Sequence, residues 1–108
     1  MNKYAFLVAA FSLAGMVSAT HADTQDLAKE KQCFSCHAVA SEMGKAPAFK
    51  SIARKYKGMA NSEEYLAHKI EVGGVGHWGS APMPGAGARP EVSNAEAKEL
   101  VGWILAQH

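Results

Sequence analysis

The sequence predicts an all-α domain of four short helices. Three observations lead there. Apolar residues recur at i, i+3, i+4 and i+7 rather than in alternation, capping and stop residues bracket each such stretch, and no segment carries the period-2 pattern of a strand. The first helix spans residues 24–33, with Asp23 or Thr24 as N-cap and Leu27 facing inward. The second spans residues 47–56. Pro47 stands in its first turn, where a missing backbone N–H is harmless, and Phe49, Ile52, Ala53 and Tyr56 form one face before Gly58 ends it. The third starts at Asn61 or Ser62 and places Glu63 and Glu64 at the positive end of the helix dipole. It buries Tyr65, Leu66 and Ile70 and stops at Gly73 and Gly74. The fourth opens on a Ser93-x-x-Glu96 capping box, followed by Ala97, Leu100, Val101, Ile104 and Leu105 at helical spacing.

Residues 75–92, between the third and fourth helices, are rich in Gly and Pro and have no regular period. A connection that long in a small domain is normally functional or disordered. Trp78 and Met83 within it point to function.

The chain begins with the pattern of a secretory leader, residues 1–22, followed by one domain, residues 23–108. Lys3 provides the positive start, and Ala5 to Val17 form an apolar run broken only by Ser12 and Gly15. Small residues allow cleavage after Ala22 or after Ala19, of which Ala22 is favoured. The run is shorter than the ~20 residues of a membrane span, so the expectation is a periplasmic protein with no membrane insertion after cleavage. Loss of Lys3 leaves ten basic residues against ten acidic ones. A balance near zero argues against nucleic acid and anionic membrane as partners, since both select clustered positive charge.

Chemistry concentrates in Cys33-Phe34-Ser35-Cys36-His37. Two thiols three positions apart can each add to a vinyl group of one porphyrin, and the histidine directly after them can ligate its iron. A redox dithiol of the Cys-x-x-Cys kind is the plainer reading, with His37 incidental. Half of a zinc site is a third, but no second cysteine pair completes four ligands. Export places the pair in an oxidising space, where a free pair tends towards disulfide, and His37 favours haem. The expected cofactor is one covalent haem c, bound through two thioether bonds to Cys33 and Cys36.

Met83 is the candidate for the second iron ligand. Pro82 and Pro84 restrict the backbone on both sides of it and remove two donors, so the loop loses little freedom when it holds a thioether. Met43 lies six residues beyond His37 and would have to wrap round the porphyrin edge, and nothing rigidifies Met59. His68, His77 and His108 offer bis-histidine ligation, His77 most readily because it shares the loop. Ligation by His37 and Met83 saturates the iron and leaves outer-sphere transfer of one electron. Around the iron, a backbone carbonyl near Pro47 can accept the imidazole's other proton. The Trp78 indole N–H suits a haem propionate, and Lys69 can pair with one.

These residues resemble the short bacterial class I cytochromes c. The likeness rests on Cys33-Phe34-Ser35-Cys36-His37, Pro47, Trp78-Gly79-x-x-Pro82-Met83-Pro84 and Trp103 in a final amphipathic helix. It covers residues 23–108 and is nearest to small periplasmic carriers that donate to nitrite reductase or terminal oxidases. The resemblance implies a cytochrome c fold wrapped round one haem, with first and last helices crossing. It also implies that the Pro47 carbonyl bonds His37, and that Trp78 and Lys69 lie near a propionate. Its partners would be redox proteins, an upstream cytochrome or quinol oxidoreductase and a downstream reductase or oxidase, met by a monomer. The docking rim would comprise Ser35, Met43, Ala81, Pro82 and Pro84, with Lys45 and Lys50 nearby.

Two departures stand out. That subgroup commonly places Pro-Asn after Met-Pro, with the Asn amide bonded to the Met sulfur, whereas Gly85-Ala86-Gly87 follows Pro84 here. The stretch 85–92 is also longer and contains Arg89. The expectation is a looser Met83–iron bond, with ligand exchange under mild denaturation or high pH. An electron carrier is thus weighed against two alternatives. One is a peroxidase or ligand-binding haem protein in which Met83 does not bind iron; the other is a colourless thiol–disulfide protein.

Overall fold

The computed structural model describes residues 20–44, 46–76 and 81–108. Four helices account for the regular structure: α1 (His21–Glu30), α2 (Phe49–Tyr56), α3 (Ser62–Val72) and α4 (Asn94–Leu105). Among the described residues there is no strand, only isolated bridges, and no helix is long and apolar enough to cross a membrane. The expected leader lies outside the described residues except for its last three positions.

Helix α1 begins three residues before the expected start. Thr20 is its N-cap: the Asp23 N–H donates to Thr20 Oγ1 at 3.3 Å and the Thr20 N–H to Asp23 Oδ2 at 3.4 Å. Asp23 therefore completes a capping box instead of serving as the cap. The helix also stops early, because Gln32 takes a left-handed conformation (φ 62°). Cys33 consequently sits on a separate 3-10 turn, Cys33–Ser35, and not at the helix end.

Helix α2 starts two residues after Pro47, with Ala48 as its extended N-cap. Pro47 is not the first helical residue. The expected face is buried as read: Phe49, Ile52, Ala53 and Tyr56. Helix α3 corrects one assignment. Ala67 and Ile70 fill its buried face, Leu66 is half-buried, and Tyr65 remains 39% exposed. Tyr65 lies one residue off the Leu66–Ile70 stripe and instead meets the Tyr56 ring at 5.9 Å.

Helix α4 is the hub and packs against α1, α2 and α3. Its capping box forms as read: the Glu96 N–H donates to Ser93 Oγ, and Glu96 Oε1 accepts the Ser93 N–H. Ala97, Leu100, Val101, Trp103 and Ile104 are buried, whereas Leu105 is half-buried at the edge. Lys31 ties the end of α1 to the start of α4, donating to the Glu91 carbonyl at 2.9 Å and pairing with Glu96 at 3.1 Å. Near the other end of α1, Thr24 Oγ1 donates to Glu99 at 3.1 Å.

The chain then folds the Met83 loop onto the end of α3. Met83 and Gly74 exchange two backbone hydrogen bonds, of 2.7 and 3.0 Å. This requires glycine at Gly73, which has φ 71° and whose Cβ would overlap the backbone of residues 83–85. Gly73→Ala is expected to destabilise the protein by about 1–3 kcal/mol through backbone strain. That corresponds to a melting temperature lower by several degrees or more; an unchanged melt would refute the close approach.

Candidate haem site

Cys33, Cys36, His37, Pro47, Lys69 and Met83 all line one cavity of about 600 Å³. That size lies within the ~300–1,000 Å³ usual for cofactor sites. The remaining wall is mainly apolar and includes Phe49, Ile52, Leu66, Ile70 and Ile104. Helix α2 supplies one side, α3 another, and the bridge between Gly74 and Met83 holds residues 81–84 at its edge.

His37 is the most firmly placed group. Its Nδ1 lies 2.7 Å from the Pro47 carbonyl oxygen. A carbonyl only accepts, so Nδ1 carries the proton and Nε2 is left with the lone pair a metal needs. The ring stacks on Phe49, with centroids 5.2 Å apart and planes 21° apart. Phe49 makes edge contacts with Phe34 and Trp103, at 5.7 and 5.1 Å. The imidazole therefore rests on an aromatic cluster reaching into α4.

Glu42 is a residue the sequence reading missed. One carboxylate oxygen accepts the Ala48 N–H at 2.8 Å and the other accepts from Ser51 Oγ at 2.7 Å. Those bonds set the entry into α2 immediately after the Pro47 carbonyl. A lone glutamate in a polar turn gives no signal of this in the sequence; its spacing to Ala48 becomes meaningful only once the turn is known.

Cys33 is half-buried and Cys36 exposed. Burial pushes the Cys33 thiol up, and the nearby Arg89 charge pulls it partly back. Met83 is partly buried against the core. Lys69 reaches the rim, where its Nζ lies over the Gly74 backbone. Trp78, His77 and Lys45 lie outside the described residues. Of the other ligand candidates, Met43 lines the cavity but is exposed. Met59, His68 and His108 are exposed and away from it. The expected docking residues Ser35, Met43, Ala81, Pro82 and Pro84 all border the cavity.

The site fits a porphyrin: two thiols, an imidazole with its lone pair on Nε2, a thioether and an apolar wall share one space. Similarity to known proteins agrees. The chain matches the cytochrome c family over residues 21–107. It is 44% identical to cytochrome c-552 of Hydrogenobacter thermophilus over 106 residues, covering 97% of each chain. It is 46% identical to cytochrome c-551 of Azotobacter vinelandii over 81 residues, 75% of this chain and 93% of that one. The crystal structure of wild-type Nitrosomonas europaea cytochrome c552 superposes with a TM-score of 0.69 at 43% identity, covering 78% of this chain and 99% of that one. Fold, cavity and relatives converge: the chain belongs to the cytochrome c family, a small class I electron carrier with covalently attached haem c.

Proposed function

We propose that the chain is a periplasmic one-electron carrier whose haem c is attached through Cys33 and Cys36 and ligated by His37 and Met83. One observation carries this reading: these four side chains line a single cavity, whereas Met59, His68 and His108 do not. Haem c supplies a one-electron couple at its iron.

The residues supply geometry. The Pro47 carbonyl accepts the Nδ1–H hydrogen bond, which orients the His37 ring and leaves Nε2 as the nitrogen that would face the iron. Phe49 blocks rotation of the imidazole. Pro82, Pro84 and the pair of hydrogen bonds to Gly74 hold the Met83 backbone. His37 and Met83 would hold the iron between them and leave it no position for a substrate, which supports a carrier over an enzyme. A neutral sulfur ligand favours the reduced iron, and an apolar wall limits solvent rearrangement on transfer. Lys69 at the rim suits a propionate, with Trp78 as a second candidate.

Residues 1–22 serve as a leader in this reading, and residues 23–108 form the exported monomer. Its partners are redox proteins, an upstream cytochrome or quinol oxidoreductase and a downstream nitrite reductase or oxidase. They dock briefly on the apolar rim at Ser35, Met43, Ala81, Pro82 and Pro84, as weak electron-transfer encounters bury little area. Processing after Ala22 removes the Thr20 cap, and Asp23 or Thr24 then caps α1. The intact mass of the exported protein should place its first residue at Asp23; a first residue at Thr20 would show cleavage after Ala19.

Spectra of the purified protein test ligation. The ferric form should be low-spin with a far-red sulfur-to-iron band, and colour should survive acid–acetone extraction. Met83→Ala should keep covalent colour, lose the far-red band and bind cyanide rapidly. Its reduction potential should drop by an appreciable part of the ~0.8 V that axial ligands span. A far-red band persisting in Met83→Ala would rule out Met83 as the ligand.

Glu42→Ala tests the support of His37. Leaving the Ala48 N–H without its partner should destabilise by about 1–3 kcal/mol. Because Pro47 would also move, the potential should shift together with the melting temperature. A lower melt with an unchanged potential would show that Glu42 serves only the entry to α2.

A further inference from the structure

Arg89 has an unusual environment for a loop arginine. Its Nε donates to the Pro84 carbonyl at 2.9 Å and its Nη1 to the Pro90 carbonyl at 3.1 Å. Its Nη2 is buried and has no hydrogen-bond partner among the described residues. The side chain lines the haem cavity together with Cys33, Met83 and Pro84. No carboxylate forms an ion pair with it among the described residues.

A guanidinium does not lose its proton in a protein, so this charge is permanent. A haem iron held in this cavity would gain positive charge on oxidation, which a fixed cation lining the same cavity disfavours. The Pro84 carbonyl follows directly on Met83, whose own N–H and C=O are both taken by Gly74. Arg89 thus holds the next acceptor along the segment that carries the thioether.

We propose that Arg89 is a positioning residue for the Met83 side of the haem: its fork secures Pro84 behind the ligand, and its unneutralised charge raises the reduction potential. The proposal rests on ligation by Met83. The two roles separate by substitution, since lysine keeps the charge without the fork and methionine keeps bulk without either.

The experiment uses the haem-loaded exported protein and its Arg89→Met and Arg89→Lys variants, read by voltammetry, the far-red band and imidazole affinity of the ferric form. Arg89→Met should have a lower potential and bind imidazole about tenfold more tightly, as loss of one charged hydrogen bond implies. Arg89→Lys should keep a potential near the original yet show the gain in imidazole affinity. Unchanged potential and affinity in Arg89→Met, whatever its melting temperature, would overturn the proposal. So would a potential shift arising only from a displaced propionate titration, which would assign Arg89 to the propionate edge. Arg89→Gln replaces Arg89→Met should the latter not fold. A missing far-red band in the unsubstituted protein would instead remove Met83 ligation, and this proposal with it.

Discussion

The hydrogen bond from His37 Nδ1 to the Pro47 carbonyl is the constraint on which the rest of the site depends. By itself a bond of this kind contributes only about 0.5–1.5 kcal/mol. Its importance lies in what it joins. On one side is the turn that carries both cysteines; on the other is the entry to α2, held by Glu42 through Ala48 and Ser51. Phe49 in the first turn of α2 stacks on the same imidazole and meets Phe34 and Trp103, each aromatic pair adding about 0.5–1.5 kcal/mol. The ring proposed to bind iron on Nε2 is thereby fixed from its other nitrogen and one face by elements that also build the core.

That core is arranged round the cavity as much as round itself. Among the described residues, the large side chains with almost no exposure are Leu100 and Val101 of α4 and Phe49 of α2. Phe49, Ile52, Ile70 and Ile104 each turn part of their surface to a space of about 600 Å³. A porphyrin bound there would remove this apolar wall from water, at roughly 25 cal/mol per Å² buried. Haem c is therefore a structural member as well as the redox centre, which explains how so short a chain supports a single fold.

Legibility in the sequence followed how local each determinant is. Helices α2 and α4 could be read because a periodic apolar face and a capping box are contained within a dozen residues. The Cys33–His37 motif could be read because covalent attachment demands a rigid spacing. Helix α1 was displaced because Thr20 and Asp23 form a box that competes with Asp23 as cap, and because nothing in the sequence marks Gln32 for a left-handed turn. Tyr65 was misplaced because the α3 stripe is narrow and an aromatic one position off it still finds a neighbour in Tyr56. Glu42 was invisible because its partners are backbone groups positioned by the turn itself. Pro47 was placed at the helix start, yet its carbonyl role comes from standing two residues outside it.

The segment after Met83 shows why composition alone misjudges a loop. Gly85-Ala86-Gly87 suggests slack, since glycines lose the most conformational entropy on ordering. In the structure Gly85 is instead pressed against the Val72 carbonyl, where any side chain would clash. Gly87 turns with φ 93°, and the Ala88 N–H closes back on Gly85 at 3.2 Å. Arg89 then returns to Pro84 through its Nε. The added residues form a closed turn whose last member bonds Pro84, the residue next to Met83. Glycine at residue 85 permits the close approach to α3, and the charged hydrogen bond from Arg89 offsets part of the entropy that glycine costs. The length and flexibility that weaken this loop as a sequence are what allow an arginine to fold back and stiffen it.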